Sequence, residues 1–203
     1  MNDDATRIKI FGSGSNRSAR PIWTAKELGL EYQLIQIEEL STKPELRSLH
    51  PQSKIPSADI GGLEIFESSV ICEYLCDSLP SNVLLAPSGT ERRAEHSQWV
   101  SFAQSEVEAY LWHNFQLDRS DKGLKFFAET VELNKKIALA GLLVLDGHLE
   151  SSEYLVGHDF GVTDIVVGWT VNWARRASLL ESCVHLNRYL DRLFARPHCC
   201  LAR

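Results

Sequence analysis

The chain has 203 residues, of which 44% are hydrophobic, and it carries a formal net charge of −6 at pH 7. This composition is typical of a soluble globular protein with one large or two small domains, and the acidic balance argues against a nucleic-acid partner, which needs a large basic face. No apolar run approaches the roughly 20 residues that span a bilayer, and the N-terminus lacks the basic and apolar segments of a secretion signal, so we expect a cytoplasmic location and no membrane partner.

The first part of the chain alternates predicted strands and helices. A strand at 7–11, a helix that ends at Gly29 and a strand at 31–37 predict a βαβ unit whose two strands are parallel. The elements predicted after it are a helix at 43–49, an extended segment at 55–59, a strand at 63–66 and a helix at 68–78. This order of elements indicates an α/β domain.

The sequence changes character at residues 79–89, which carry two prolines and a glycine and show no helical period. From Thr90 onward, every periodic segment is helical. The helices predicted in this part lie at 91–117, 124–149, 164–177 and 183–195. We therefore predict an α/β domain at 1–80, a linker at 81–89 and an all-helical domain at 90–203.

The segment from Lys54 to Ser69 carries the most specific chemical signal. Because Pro56 cannot donate a backbone hydrogen bond, the preceding Ile55 is pushed into an extended conformation, with its backbone N–H and C=O available to a ligand. Glu67-Ser68 directly precedes an apolar helical pattern, and a helix start presents unpaired N–H groups and a positive dipole end to anions. These features predict a site for a small peptide-like ligand that carries carboxylates.

Four short motifs occur in a defined order along essentially the whole chain. They are Arg20 with Glu27-Leu28-Gly29-Leu30, then His50-Pro51-Gln52-Ser53-Lys54-Ile55-Pro56, then Glu67-Ser68, and finally Phe160-Gly161-Val162-Thr163-Asp164-Ile165. In this order they resemble motifs of the cytosolic glutathione transferase family, in a serine-type or an atypical bacterial or fungal-like class. The resemblance implies a thioredoxin-like first domain, an all-helical second domain, a cis-proline at Pro56, a homodimer and a role in detoxification.

The resemblance also implies that glutathione binds to the first domain as a co-substrate. Ser68 and its helix start would hold the γ-glutamyl carboxylate, and Glu67 would hold the γ-glutamyl ammonium group. Ile55 would pair with the cysteinyl backbone. The glycyl carboxylate needs a cation, and either Lys54 or His50 is placed to supply it. The residues assigned to glutathione are Ser13, His50, Lys54, Ile55, Pro56, Glu67 and Ser68.

A group that stabilises the glutathione thiolate is expected in the loop at 11–20, after the first strand. A thiol with a pKa of about 8.5 is only about 3% ionised at pH 7, and one good hydroxyl donor lowers that pKa by about one to two units. The loop has no tyrosine or cysteine, which disfavours the family's tyrosine-type and cysteine-type classes. The resemblance places the catalytic serine on Ser15 or, in a variant of the motif, the activating group on Asn16, a weaker donor. Ser18 is expected to cap the first helix.

The second substrate of such an enzyme is a small hydrophobic electrophile. The resemblance places its pocket against the early helices of the second domain, where four candidate residues share one predicted helix. These residues are Tyr110, Trp112, His113 and Phe115. The apolar pattern of this helix does not separate pocket residues from core residues, and His113 is expected to be a satisfied polar residue rather than a general base.

Asp164 is expected to hold the start of a buried helix. In the family, an acidic residue here forms a capping box with a hydroxyl three residues earlier, but this chain has Gly161 at that place. Glycine has no side-chain acceptor, so half of the box is lost. We still expect the Asp164 carboxylate to accept hydrogen bonds from backbone N–H groups.

Conjugation of glutathione to an electrophile is the leading hypothesis, but other functions use the same residues. A glutathione-dependent isomerase, dehalogenase or peroxidase would differ only in the second-substrate pocket. A non-catalytic glutathione-binding or partner subunit is the alternative of a different class. The five cysteines form no Cys-x-x-Cys pair, so they indicate neither a disulfide framework nor a metal site, and Cys72 and Cys76 are expected in the core.

Overall fold

The structure is a computed structural model, and it describes residues 7–14, 16–37 and 44–203. The chain divides into two compact units: the first contains the residues up to Pro87 together with Pro197–Arg203, and the second contains Ser88–Arg196. The domain bounds 1–80, 81–89 and 90–203 stay a prediction. The compact units differ from these bounds at the end of the chain, where Cys200 packs against the core of the first unit.

The first unit is a four-stranded mixed sheet with three helices among its described residues. Its elements are β1 (Ile8–Gly12), α1 (Ala19–Glu27), β2 (Gln33–Gln36), α2 (Pro44–Leu49), β3 (Ser57–Ile60), β4 (Leu63–Phe66) and α3 (Ser68–Asp77). The strand order is β2-β1-β3-β4. β1 and β2 are parallel, which confirms the predicted βαβ arrangement, whereas β3 pairs antiparallel with both β1 and β4.

Apolar side chains from the sheet and from α1 and α3 form the core of the first unit. The buried members of this core are Ile10, Ile22, Ala25, Ala58, Ile71 and Leu75. Burying one large aliphatic side chain contributes about 1.5–3 kcal/mol relative to leaving it exposed. Gly29, two residues after the end of α1, has a φ of +65°, a conformation that other residues rarely adopt. This packing sets α1 directly against α3.

The second unit is helical throughout its regular segments. Its elements are α4 (Glu91–Phe102), a π-helical segment (Ala103–Glu108), α5 (Ala109–Asp118), α6 (Gly123–Phe126), α7 (Ala128–His148), α8 (Val162–Arg176) and α9 (Val184–Phe194). The helix predicted at 91–117 is confirmed as one uninterrupted helical stretch, but its middle is π-helical rather than α-helical. The helix predicted at 124–149 starts with the separate turn α6. Among the described residues, no helix is long and apolar enough to cross a membrane.

The π-helical segment packs closely against α7. A Cβ atom built on Gly141 of α7 would lie 2.9 Å from the Val107 side chain and 3.0 Å from the carbonyl oxygen of Glu106, so glycine permits this approach. A π-helical turn contains an extra residue. The side chains that follow it on α5 are therefore rotated relative to those of the single α-helix that the sequence predicts.

The Asp164 carboxylate holds the start of α8. Its Oδ2 accepts a hydrogen bond from the Gly161 N–H at 2.8 Å, and its Oδ1 accepts from the Leu155 N–H and from the Tyr189 hydroxyl, each at 3.0 Å. The expectation that Asp164 pairs with backbone N–H groups is confirmed. Burial raises the pKa of Asp164 to about 6, although its hydrogen bonds partly offset that effect.

Candidate functional site

The start of α3 places an exposed carboxylate next to a buried hydroxyl. Glu67, which precedes the helix, has φ +68° and ψ 112°, an unfavourable conformation for a residue other than glycine. Ser68, the first helical residue, is only 4% exposed. The first turn of α3 contains no acidic residue, and the Glu67 side chain does not cap the helix. The positive end of α3 is therefore suited to an anion from outside the helix.

The side chain of Arg20, on α1, contacts the start of α3 from within the protein interior. Its Nη1 donates a hydrogen bond to the Ser68 Oγ at 3.0 Å, and the Arg20 side chain is only 1% exposed, which is rare for a guanidinium. Sequence reasoning used Arg20 as part of a motif and missed this contact. The available signal was that Arg20 is the one charged residue in the run Ala19–Ala25.

One turn further along both helices, a neutral pair lies in the same α1–α3 contact. The Thr24 side chain hydrogen-bonds the Cys72 thiol, and its hydroxyl also donates to the Arg20 carbonyl oxygen at 3.0 Å. Burial raises the pKa of Cys72 to about 12. Cys72 is thus an inert core thiol, and the expectation that Cys72 and Cys76 are core residues is confirmed.

His50 lies beside the start of α3, with its ring centroid 4.8 Å from that of Phe66. Its Nδ1 accepts a hydrogen bond from the Gln52 N–H at 3.0 Å, so the neutral ring carries its proton on Nε2. Burial lowers the pKa of His50, and the nearby charges of Glu67 and Lys54 raise and lower it respectively. A neutral imidazole is not a cation, so the exposed Lys54 is the better partner for a second carboxylate.

The segment between His50 and β3 contains a turn at residues 51–52 and a bend at Ile55, so the extended segment predicted at 55–59 is a strand only from Ser57 onward. The Ile55–Pro56 peptide bond is cis, as the resemblance implies. The Ile55 side chain packs against the cluster around Ile37 and Leu49. Ile55 lies outside the sheet ladder, because the pairing of β3 begins at Ser57. An extended peptide is the natural partner for backbone groups in this position.

Asn16 organises the loop between β1 and α1. Its Oδ1 accepts hydrogen bonds from the Ser18 N–H at 2.9 Å and from the Ser18 hydroxyl at 2.6 Å, and its Nδ2 donates to the Ser13 Oγ at 2.8 Å. The prediction that Ser18 caps α1 with its own hydroxyl is wrong, because that hydroxyl donates to Asn16. Ser15, the first choice for the thiolate donor, lies outside the described residues.

The same loop is packed tightly against the end of β1. A Cβ atom built on Gly12 would overlap the Ser18 Oγ, so a side chain at Gly12 would displace Ser18. Asn16 retains one amide hydrogen beyond the one that Ser13 accepts, because an amide nitrogen carries two. This is the most that Asn16 has to offer a thiolate in the observed geometry.

Two of the four predicted pocket residues of the second unit come together. The rings of Trp112 and Phe115 stack with centroids 5.3 Å apart, and Phe115 and Trp169 both make edge contacts with Trp173 of α8. The guanidinium of Arg119 lies 5.5 Å from the Phe115 centroid. These aromatic side chains, Trp112, Phe115, Trp169 and Trp173, form what we call the ring cluster. Each of its members is partly exposed.

The other two predicted pocket residues, Tyr110 and His113, do not share the contacts of the ring cluster. The Nδ1 of His113 lies 3.1 Å from the Nδ2 of Asn134 on α7, so His113 faces a different helix. The expectation that His113 is a satisfied polar residue agrees with this contact, and Tyr110 is half-buried. Helical spacing separates the two pairs, because residues 112 and 115 share one face of α5.

A buried carboxylate lies one turn before the ring cluster. Glu108, the last residue of the π-helical segment, is 4% exposed and accepts a hydrogen bond from the Thr170 hydroxyl at 2.5 Å. Sequence reasoning missed this pair, because a regular helical period does not show which glutamate a π-helical turn directs inward. The pair joins the π-helical segment to α8 in the core of the second unit.

The sequence matches known proteins along nearly its whole length. The family model described as "Glutathione S-transferase, N-terminal domain" matches residues 14–78. The chain is 28% identical over 200 residues to elongation factor 1-gamma 2 from Oryza sativa subsp. japonica. This alignment covers 92% of the present chain and 46% of the elongation factor. It is 24% identical over 198 residues to glutathione S-transferase GstA from Escherichia coli O157:H7, with 94% of each chain covered.

The fold is also found among solved structures. The crystal structure of a glutathione transferase from Phanerochaete chrysosporium with oxidized glutathione has a TM-score of 0.84 and 19% identity, covering 98% of this chain and 94% of that one. The present chain spans about half the length of the elongation factor relative and nearly all of GstA. A thioredoxin-like α/β unit followed by a helical unit is the glutathione transferase fold. Residues 14–78 thus match a glutathione S-transferase N-terminal domain, and the chain as a whole is similar in sequence to glutathione S-transferases and has their fold.

Proposed function

We propose that this protein binds glutathione through its first unit and transfers the glutathione thiolate to a small hydrophobic electrophile. The observation that supports this most is the start of α3, where the hydroxyl of Ser68 and the carboxylate of Glu67 flank a helix end without a side-chain cap. A γ-glutamyl group carries one carboxylate and one ammonium, so it complements these two groups.

The rest of glutathione fits the neighbouring segment. Lys54 binds the glycyl carboxylate, and the backbone N–H and C=O of Ile55, before Pro56, pair with the cysteinyl residue. His50 contributes the N–H of a neutral ring, because its Nδ1 accepts from Gln52. Ser13 accepts from Asn16, so its own hydroxyl proton is directed away from Asn16 and can serve the ligand.

We assign the activation of the thiol to Ser15. A hydroxyl at the start of α1 donates to the sulfur, and the positive end of the helix adds to the stabilisation of S⁻. Asn16 is the alternative, with a single amide hydrogen to offer. In the transfer step, the thiol proton is lost to solvent, the sulfur forms a bond to the electrophilic carbon, and the leaving group departs with its bonding electrons.

The ring cluster is the aromatic surface that we assign to the electrophile. Stacked and edge-on aromatic contacts favour flat apolar molecules, and each such contact contributes about 0.5–1.5 kcal/mol beyond the area that it buries. Of the residues predicted for this pocket, we propose Trp112 and Phe115 as the contacts. Tyr110 and His113 lie outside the ring cluster and are secondary candidates.

We also propose a cytoplasmic homodimer with a role in detoxification. The first unit exposes the apolar side chain of Phe66 at the end of β4, and those of Val70 and Tyr74 one turn apart on α3. An apolar patch of this kind is typical of a surface that a second protein covers. A second copy of the chain is the partner that the family resemblance implies.

A non-catalytic glutathione-binding subunit is the second candidate. Two observations favour it: the similarity to a protein named elongation factor 1-gamma 2, and the hydrogen bonds that commit Asn16 to the structure of its loop. Such a subunit would keep the α3 site for glutathione without activating the thiol. An isomerase, dehalogenase or peroxidase would keep both the glutathione site at α3 and the activation of the thiol, and would differ in the pocket for the second substrate.

Retention on immobilised glutathione, followed by ultraviolet titration of the bound thiolate, separates these functions. For the proposed transferase, we expect retention, turnover of an activated aryl halide and a thiol pKa at least about one unit below its ordinary value. Ser15→Ala should raise that pKa more than Asn16→Ala does. Retention without turnover of any aryl halide or hydroperoxide would favour the binding subunit, and absence of retention would refute the glutathione assignment.

A further inference from the structure

We propose that Arg20 is a positioning residue that orients the Ser68 hydroxyl and so makes the start of α3 selective for a carboxylate. The inference rests on the proposed function, in which Ser68 holds the γ-glutamyl carboxylate of glutathione. Arg20 acts through Ser68 and contacts no substrate, because its side chain is 1% exposed beneath the site.

The chemistry of the two groups determines the direction of their hydrogen bond. A guanidinium has five N–H donors and no acceptor, so the Ser68 Oγ can only accept from Arg20, at the observed distance of 3.0 Å. A hydroxyl carries a single proton, and with Arg20 behind the oxygen that proton points elsewhere. None of the described residues accepts a hydrogen bond from the Ser68 hydroxyl.

The backbone groups of the first turn of α3 are also donors. The first backbone N–H groups of α3 have no acceptor within the helix, and the first turn lacks an acidic side chain. A ligand group that meets this surface must therefore accept hydrogen bonds from the Ser68 hydroxyl and from backbone N–H groups at once. A carboxylate does so with both oxygens, whereas a carboxamide offers one oxygen and an NH₂ group that cannot accept.

The next pair along the α1–α3 contact argues against a purely structural role for the guanidinium. There, Thr24 meets Cys72, whose pKa of about 12 keeps the thiol neutral, so a neutral pair of side chains fills the helix contact at that level. A buried arginine costs desolvation free energy that a neutral pair avoids. At the level of Ser68, the chain instead places a guanidinium N–H within hydrogen-bond distance of the hydroxyl oxygen.

Affinity measurements with two ligands test this role. The ligands are glutathione and the analogue in which a carboxamide replaces the γ-glutamyl α-carboxylate, each titrated against the full chain. We expect the wild type to prefer glutathione about tenfold or more, and Arg20→Gln to lose most of that preference by weakening only glutathione. Arg20→Lys, which keeps a donor-only cation, should restore part of the preference. In a Ser68→Ala background, Arg20→Gln should have little further effect.

Thr24→Val is the matched control, because it removes a buried polar group from the same helix contact without changing Arg20 or Ser68. It should leave the preference for glutathione unchanged. A folded Arg20→Gln protein that keeps the full preference, or that weakens both ligands equally, overturns the inference. Arg20→Met, which keeps the aliphatic stem without the charge, replaces Arg20→Gln if the glutamine variant does not fold. Failure of the wild type to bind glutathione would instead refute the proposed function.

Discussion

The starts of α3 and α8 both present backbone N–H groups that have no acceptor within the helix, but only α8 receives a carboxylate from its own chain. At α8, the Asp164 carboxylate accepts hydrogen bonds from two backbone N–H groups and from Tyr189, so the chain supplies its own anion. At α3, the first turn has no acidic residue, and the preceding Glu67 does not cap it. The α8 start is thus complete within the fold, whereas the α3 start is left for an anion from outside.

The start of α1 adds an intermediate case. Asn16 accepts from the N–H and the hydroxyl of Ser18, so a neutral oxygen fills the position that a carboxylate fills at α8. An uncapped helix start is a site for a ligand only where neighbouring groups keep it uncapped. At α3, these groups are the donor-only Arg20 and Glu67, whose side chain does not cap the helix.

Removal of the carboxylate from the α8 start should have the largest effect. Asp164→Ala leaves the N–H groups of Gly161 and Leu155 and the hydroxyl of Tyr189 without their acceptor in a buried region. Each buried unsatisfied group costs about 1–3 kcal/mol, so we expect the free energy of unfolding to fall by about 3–5 kcal/mol. Urea unfolding followed by tryptophan fluorescence measures it, since four of the five tryptophans lie in the second unit.

Ser78→Ala at the end of α3 is a suitable control, because it removes only a hydroxyl that donates to the Leu75 carbonyl oxygen. It should change the free energy of unfolding by about 1 kcal/mol or less. An Asp164→Ala protein as stable as this control would show that the α8 start does not depend on its carboxylate, and the contrast with α3 would fail.

The buried carboxylate should also give stability a characteristic pH dependence. Burial raises the pKa of Asp164 from its ordinary value of 3.8 to about 6 in the folded state. Between these values the folded chain holds a proton that the unfolded chain has lost, so the free energy of unfolding falls as the pH rises through this window. A shift of about two units corresponds to about 3 kcal/mol.

The measurement is the difference in the free energy of unfolding between the wild type and Asp164→Asn, taken from pH 4 to pH 7. The asparagine does not titrate, so the contributions of all other groups cancel. The wild type should lose stability relative to the variant as the pH rises, and should level off above about pH 6. A difference that is constant with pH, or one that grows in the opposite direction, would mean that the hydrogen bonds outweigh the burial of the charge.

Much of the fold follows from local patterns. The parallel pairing of β1 with β2 and the two-part organisation were predicted from apolar periodicity, proline and glycine. The π-helical segment was not predicted. It packs closely against Gly141 of α7, a contact between residues distant in sequence. Periodicity describes one element at a time, so it misses what two packed elements impose on each other.

The candidate site, like the fold, was predictable where its residues are close in sequence and not where they are distant. Ser68, Glu67 and the cis bond at Pro56 lie in one short segment, so sequence reasoning could assemble them. Arg20 reaches Ser68 across 48 residues of sequence, and its role depends on tertiary packing. Asn16 was predicted as a possible donor to the thiol. In the structure, its carboxamide oxygen accepts hydrogen bonds from Ser18 at the start of α1, and no single-residue propensity shows which of these two roles the side chain takes.

Giving α3 a carboxylate of its own should convert it into a start like that of α8. In Ser68→Asp, the new side chain would lie beside the Arg20 guanidinium and at the positive end of the helix, so stability should be kept or raised by up to about 1 kcal/mol. The same carboxylate would exclude the anion of the ligand. We expect the affinity for glutathione to fall at least about tenfold, which is about 1.4 kcal/mol.

Two measurements test whether Ser68→Asp keeps stability and loses affinity for glutathione. They are isothermal titration with glutathione and unfolding in urea. Ser68→Asn, which is neutral, serves as the comparison, since it alters the hydroxyl without adding charge. Undiminished binding by Ser68→Asp would show that the ligand carboxylate does not lie at the start of α3. A large loss of stability would instead show that this helix end cannot accept an internal anion.

The smallest effect is expected at the α1 start. Asn16→Ala removes the acceptor of the Ser18 N–H, and the loss of such a cap costs about 1 kcal/mol in the free energy of unfolding. Because we assign activation of the thiol to Ser15, Asn16→Ala should change the pKa of bound glutathione less than Ser15→Ala does. Asn16→Asp keeps the acceptor for Ser18 but places a negative charge beside the thiolate. It should therefore retain stability and raise the thiol pKa. If Asn16→Ala instead raises the pKa as much as Ser15→Ala while stability stays unchanged, then Asn16 is the thiolate donor and the cap is incidental.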